Sequence, residues 1–333
     1  MSRTETTPPF MNSHRGALLF FGWILSLHAA AGEPPPTPVT HTYKTVGTLE
    51  IKADVYRPDV SSAQHPVVVY IHGGSLINGG RAKLEKPPRM LDRYVAAGFI
   101  AVSIDYRLAP ETKLPQIVAD IEDAFRWVRE KGPGLFGADP QRIAAAGASA
   151  GGYLALVAGV RVRPRPFAIV AESSYGDLVG AWQQKVSTSP KHQRPELTEA
   201  EAWRQVSGPP IANAADRAGD GGAFNAYLRT HGQWPKAITG WDPKIEIENY
   251  FPYLPARNVS RDYPPTMLIH GQNDSDVPVE LPKAMTEEFK RHGVEHQLII
   301  IPGGEHGYAG ADPALIEAAQ QKAVAFLRAH LLR

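Results

Sequence analysis

The run Gly147-Ala-Ser-Ala-Gly151, followed by Gly152, sets one hydroxyl among side chains no larger than a methyl. A serine so presented can attack an acyl carbon if a base takes its proton and an acid orients that base. Both partners follow downstream. Asp274 stands in Gln272-Asn-Asp-Ser-Asp-Val-Pro278, and His306 in Gly304-Glu-His-Gly-Tyr308. Asp276 competes for the acid's place, although it equally suits a turn, and spacing to Val277-Pro278 favours Asp274. Upstream, His72-Gly73-Gly74-Ser75 offers bare backbone N–H groups that can approach an oxyanion. Each piece alone has a bland reading: small residues pack, and serine is a common turn former. Four pieces in register point to acyl transfer.

These residues need rigid supports, and the flanking pattern supplies them. "HPVVVYIHGG" (His65–Gly74), "FIAVSIDYR", "RIAAAGAS", "FAIVAE", "TMLIHG" and "HQLIIIPG" read as buried parallel strands, and "LEIKADVYRP" (Leu49–Pro58) alternates like a half-exposed one. Helical patterns lie between them. In "LPQIVADIEDAFRWVRE", Ile117, Ile121, Ala124, Phe125 and Val128 share one face. Strand–helix alternation of this kind predicts an α/β fold, a mostly parallel sheet with helices on both faces. Ser149, Asp274, His306 and the glycine loop each follow a strand, at the carboxyl edge where such sheets gather their sites. A helix opening at Ala150 would aim its positive end at charge developing near Ser149.

From Tyr175 to Pro265 the rhythm breaks, with no buried strand and four of the six Trp: Trp182, Trp203, Trp234 and Trp241. So long a segment is not a bare loop. Residues 175–265 read as an inserted cap with short helices, Thr198 and Glu201 forming a capping box in one of them. Its Trp residues suit a small core, with one or two lining a pocket.

Taken together, "HGGS", "DYRLAPE", "LPQIVAD", "GASAGG", "GQNDSDVP" and "GGEHGY" make residues 43–333, the cap apart, resemble the α/β-hydrolase fold family. The likeness is to its hormone-sensitive-lipase-like and bacterial carboxylesterase members, and the last two motifs are also similar to prolyl-oligopeptidase catalytic domains. The resemblance implies Ser149 as nucleophile, Asp274 as acid and His306 as base. It also implies an oxyanion hole from the N–H groups of Ala150 and Gly74, with Gly73 or Ser75 as a third donor. Asp105-Tyr106-Arg107 and Asp120 correspond to bracing positions. Two departures stand out: the loop reads HGGS where the family usually has HGGG, and the cap comes late in the chain. The implied activity is a serine carboxylesterase for small to medium acyl esters. Lipase, acyltransferase and peptidase or amidase are alternatives on the same fold, and a dead-hydrolase binding protein is one of another class.

The N-terminus is of different character. Arg15, the apolar run Ala17–Leu27 and Ala29-Ala-Ala31 describe a secretory signal peptide (1–31) cleaved near Ala31-Gly32, with Met11 an alternative start. Secretion or a periplasmic location is expected, without a stable membrane anchor after cleavage. Residues 32–42, beginning Gly-Glu-Pro-Pro-Pro, read as a Pro-rich linker. The chain has 333 residues, a net charge of +1 and no Cys. That balance argues against nucleic-acid binding, and the missing thiols exclude disulfides and thiol catalysis. His292-Gly-Val-Glu295-His296 matches a zinc pattern, yet Gly293 breaks the helix that pattern needs. No metal or cofactor is expected, the partner is a small ester, and no residue pattern fixes an oligomeric state. Asn258 and Asn273 head sequons by pattern alone, and Glu305 reads as a solvated neighbour of His306.

Overall fold

A computed structural model describes residues 37–59, 64–82, 90–193 and 197–332. All lie in one compact unit, Pro35–Arg333. The signal-peptide reading of residues 1–31 falls outside the described residues.

The molecule is built on an eight-stranded sheet: β1 (Val39–Val46), β2 (Leu49–Tyr56), β3 (His65–Ile71), β4 (Ile100–Ile104), β5 (Ala138–Ala148), β6 (Ile169–Glu172), β7 (Thr266–Gly271) and β8 (His296–Ile301). Their order is β1-β2-β4-β3-β5-β6-β7-β8. β1 and β2 pair antiparallel, as do β2 and β4, and the remaining neighbours are parallel. Alternation of side chains divides the core. Val67, Val69 and Ile71 of β3 face one apolar cluster, while Val68 and Tyr70 face the other. The first cluster packs under α2 (Leu114–Phe136), α3 (Ala150–Arg161) and α8 (Glu280–His292). The second packs under α1 (Met90–Ala96) and α9 (Pro313–Leu331). Helices on both faces are why the central strands are apolar throughout.

Three details differ from the sequence reading. The last four residues assigned to the linker, Val39–Thr42, belong to β1, which pairs with β2. As an edge strand, β1 is mostly exposed or half-buried and carries little apolar signal. β2 is less exposed than its alternation suggests, because Asp54 turns inward to accept from Thr40 Oγ1 (2.6 Å) and Arg81 Nε (2.9 Å). Finally, α2 runs on through Gly132-Pro133-Gly134 to Phe136 and stops at the left-handed Gly137. A Cβ at Gly134 would meet nothing within 4 Å. Gly134→Ala is therefore expected to stabilise the fold by about 0.5–1 kcal/mol through the unfolded chain's entropy, read as a higher urea midpoint.

Between β6 and β7 no described residue is in a strand. The segment holds α4 (Ala181–Gln184), α5 (Glu199–Arg204), α6 (Gly221–His231) and α7 (Trp234–Thr239). Thr198 and Glu201 do cap α5 reciprocally. Trp234 is fully buried, Trp203 is 38% exposed against Phe224, and Trp182 stands edge-on to Tyr175. Trp203 also lines a cavity of about 550 Å³ with Leu228, His231 and Gln233.

Candidate active site

Ser149 joins the end of β5 to α3 with φ 55° and ψ −122°, a conformation non-glycine residues seldom hold. Its neighbours make that turn possible. A Cβ on Gly147 would lie 2.5 Å from the Gly151 carbonyl, and one on Gly151 would run into the Ile71 carbonyl oxygen. The turn is tied down from both sides, Ser149 N–H donating to Glu172 O (2.8 Å) and Tyr153 N–H to Ser149 O (2.9 Å).

The structure brings Ser149, His306 and Asp274 into one chain of hydrogen bonds. His306 Nε2 lies 3.0 Å from Ser149 Oγ, and its Nδ1 lies 2.7 Å from Asp274 Oδ2. The second Asp274 oxygen accepts from the N–H groups of Asp276 (3.0 Å) and Val277 (2.8 Å). Burial alone would push the Asp274 carboxyl up. The His306 contact and the Val277 N–H outweigh it and hold the group below the ordinary carboxylate value. Asp274 thus stays an acceptor fixed at both oxygens, the state that holds an imidazole in one tautomer.

The glycine loop lies against the nucleophile. A Cβ on Gly73 would sit 3.2 Å from Ser149 Cβ. Gly74 has φ 114°, its carbonyl accepts from Ile77 N (3.0 Å) and Asn78 N (2.8 Å), and Ser75 and Leu76 both take the left-handed conformation. Among the described residues, no backbone acceptor takes the N–H of Gly73, Gly74, Ser75 or Ala150. Behind the loop, His72 stacks on Tyr106 (centroids 4.3 Å apart) and Tyr106 Oη donates to His72 O (2.9 Å). Arg107 grips Asp120 on α2 through Nε and Nη2, both at 2.8 Å, while Arg81 ties Asp105 to Asp54. Asp105-Tyr106-Arg107 and Asp120 therefore brace the site from behind.

Several residues do something other than their sequence context suggests. Asp276 points away from His306, with Oδ1 3.3 Å from Arg229 Nη1 of α6 and 3.4 Å from His192 Nε2. His192 Nδ1 in turn meets Ser187 Oγ at 2.8 Å. Burial pushes His192 down to about 4, Asp276 pulling the other way and Arg229, Lys191 and His306 adding to the push, so its ring is neutral at neutral pH. Glu305 is not merely solvated: Oε2 accepts from Ser275 N (3.0 Å), Ser275 Oγ (3.1 Å) and His306 N (3.2 Å), joining the acid loop to the histidine loop. His270 is fully buried at the end of β7, its Nε2 donating to Val277 O (2.8 Å) beside Asp274. Sequence reasoning passed over His270, His192 and Arg229. Nothing but apolar context marked the first, and the others lie between β6 and β7, in a segment with no strand period. His292 and His296 sit on different elements, α8 and β8, and among the described residues no group of three or more His, Cys, Asp or Glu side chains is arranged to hold a metal ion. Asn258 spends its amide on Phe251 O and Leu254 O.

Comparison with known proteins sharpens this picture. The BD-FAE family model matches residues 53–178 and the prolyl oligopeptidase family model residues 223–332. A crystal structure of an acetyl ester-xyloside bifunctional hydrolase from Caldicellulosiruptor lactoaceticus superposes with a TM-score of 0.64, at 22% identity, over 88% of this chain and 97% of that one. The chain has the α/β-hydrolase fold. Among curated relatives, this hydrolase-fold chain is 28% identical to Esterase LipC of Mycobacterium tuberculosis over 269 residues, 78% of its length and 58% of LipC. It is 45% identical to Carboxylesterase NlhH of the same organism over 111 residues, 33% of this chain and 34% of that one. The chain thus spans less than two thirds of the length of these curated relatives.

Proposed function

We propose that the protein is an exported serine carboxylic-ester hydrolase for small to medium acyl esters, working by two-step acyl transfer. One observation carries the reading: the Ser149–His306–Asp274 chain stands at a strained turn beside four N–H groups that no backbone acceptor takes among the described residues. The esterase names of the relatives support it.

His306 Nε2 takes the proton as Ser149 Oγ attacks the ester carbonyl, and the carbonyl oxygen becomes an oxyanion. Asp274, already ionised, offsets the positive charge that appears on the imidazole. The N–H groups of Ala150 and Gly74, with Gly73 or Ser75, receive the oxyanion. Such donors are worth about 3–4 kcal/mol each when preorganised. His306 then returns the proton to the leaving alkoxide. Water, deprotonated by the same nitrogen, releases the acid and restores Ser149. No cofactor enters this sequence. Export rests on the basic start, apolar run and Ala29-Ala-Ala31 of the leader, and N-terminal sequencing of the secreted chain tests it.

The family match over residues 223–332 favours a second reading, hydrolysis of peptide or other amide bonds. One assay separates the two. Hydrolysis of p-nitrophenyl esters from acetate to dodecanoate, of acetylated xylan and of a peptide p-nitroanilide should show short esters turned over fastest. Amide turnover equal to ester turnover would overturn the esterase reading. Absence of a fluorophosphonate adduct on Ser149 would favour a non-catalytic binding protein.

A further inference from the structure

The cap grips the loop that carries the acid. Arg229, on α6, is 4% exposed, and its guanidinium takes hold of a single residue twice. Nη1 lies 3.3 Å from Asp276 Oδ1, and Nη2 donates to Asp276 O at 3.0 Å. The same residue's N–H donates to Asp274 Oδ1. Arg229 is therefore one residue removed from the carboxylate that orients His306. Its guanidinium also lies over Trp182, 5.2 Å from the ring centroid, and Trp182 packs on Tyr175. A second strap reinforces the hold: Ser189 Oγ meets Ser275 Oγ at 3.1 Å, and Lys191 Nζ donates to His306 O at 3.4 Å.

We propose that Arg229 and Asp276 form a charge-paired latch through which the cap positions Asp274 and balances the charge felt by His306. The claim rests on the triad reading above. Its physical basis is that a buried ion pair presents little net charge to its surroundings, whereas either half alone presents a full one. The charged and titratable groups around the latch are Asp274, His192 and Tyr175. Around His306 they are Asp274, Glu305 and Lys191, with His270 behind Asp274 and Glu280 acting on His270. Arg229 and Asp276 offset each other directly, so removing one leaves a specific sign. Both are positioning residues, since neither touches the triad's reacting atoms.

The test is the pH dependence of kcat/KM for p-nitrophenyl acetate, measured on the full chain. Asp276→Asn leaves an unbalanced cation, which disfavours protonated His306, so the acid limb should move down by about half a pH unit. Arg229→Met leaves an unbalanced anion and should move the limb up by a similar amount. The double variant should bring it back. Arg229→Lys keeps the charge but loses the two-point grip, so the limb should stay while kcat falls about tenfold. Movement of both single variants in one direction, or loss of activity with no movement, would overturn the latch. Should a charge-removing variant fail to fold, Arg229→Lys and Asp276→Glu decide the matter, since wild-type kcat in both refutes positioning. If the wild type hydrolyses no ester, the esterase reading has failed on its own. The same limbs are then read from the rate of fluorophosphonate labelling at Ser149.

Discussion

Ser149→Ala should lower kcat for p-nitrophenyl acetate by about 10⁴-fold or more, while the urea midpoint stays close to wild type. The size of the loss follows from how the site is built. Without Oγ there is nothing for His306 Nε2 to deprotonate, so the imidazole and Asp274 become spectators. What survives is activation of a bound ester by the loop donors, which still exceeds the reaction in water. The near-neutral stability follows from what the hydroxyl holds. Its contact in the structure is to His306, whereas the backbone of residue 149 is fixed by Glu172 O and Tyr153 N, which alanine leaves intact. A variant keeping a tenth of wild-type kcat would show that another group attacks.

Gly151→Ala should have the opposite profile, failing first as a fold. A methyl on Gly151 would be driven into the Ile71 carbonyl oxygen, and would also sit 2.6 Å from that of His72. Both acceptors belong to backbone at the end of β3, in mid-sheet, and cannot swing aside as a side chain would. Relief requires α3 to lift from β3 or the turn at Ser149 to flatten. We expect a cost of about 3 kcal/mol, a large share of a domain's total stability. Equilibrium urea unfolding measures it, and activity should vanish even where folded protein remains. A midpoint within a few tenths of molar of wild type would mean that the elbow tolerates more width than its geometry allows. Gly134→Ala, the same substitution in open space, is the control with the opposite sign.

Much of this site was legible because its parts stand where local physics forces a pattern. Buried parallel strands such as His65–Ile71 must be apolar on both faces, so their ends can be found, and a chain ordering Ser149, Asp274 and His306 after such ends leaves few alternatives. Gly147 and Gly151 were legible for the same reason, since no other residue fits there. What escaped notice obeys no local rule. β1 has no buried face to impose a period, and the end of α2 lies beyond residues that normally stop helices. The roles of Glu305, Asp276, Arg229 and His192 are fixed by contacts between segments distant in sequence. A carboxylate beside His306 and one facing Arg229 look alike in a string of letters.

Two runs of hydroxyl, imidazole and carboxylate end on the loop after β7. One is Ser149, His306 and Asp274; the other is Ser187, His192 and Asp276. A search for the trio by side-chain proximity would return both. Of the two, the first serine is raised on a strained elbow beside amides that no described backbone acceptor takes, while the second hydroxyl accepts from Ser189 N inside the protein. A serine-directed phosphonate should accordingly leave one mark on the chain. Having the right three residues in contact is cheap and can arise as packing; what sets one run apart is the strained turn under its serine, with N–H groups nearby that no described backbone acceptor takes.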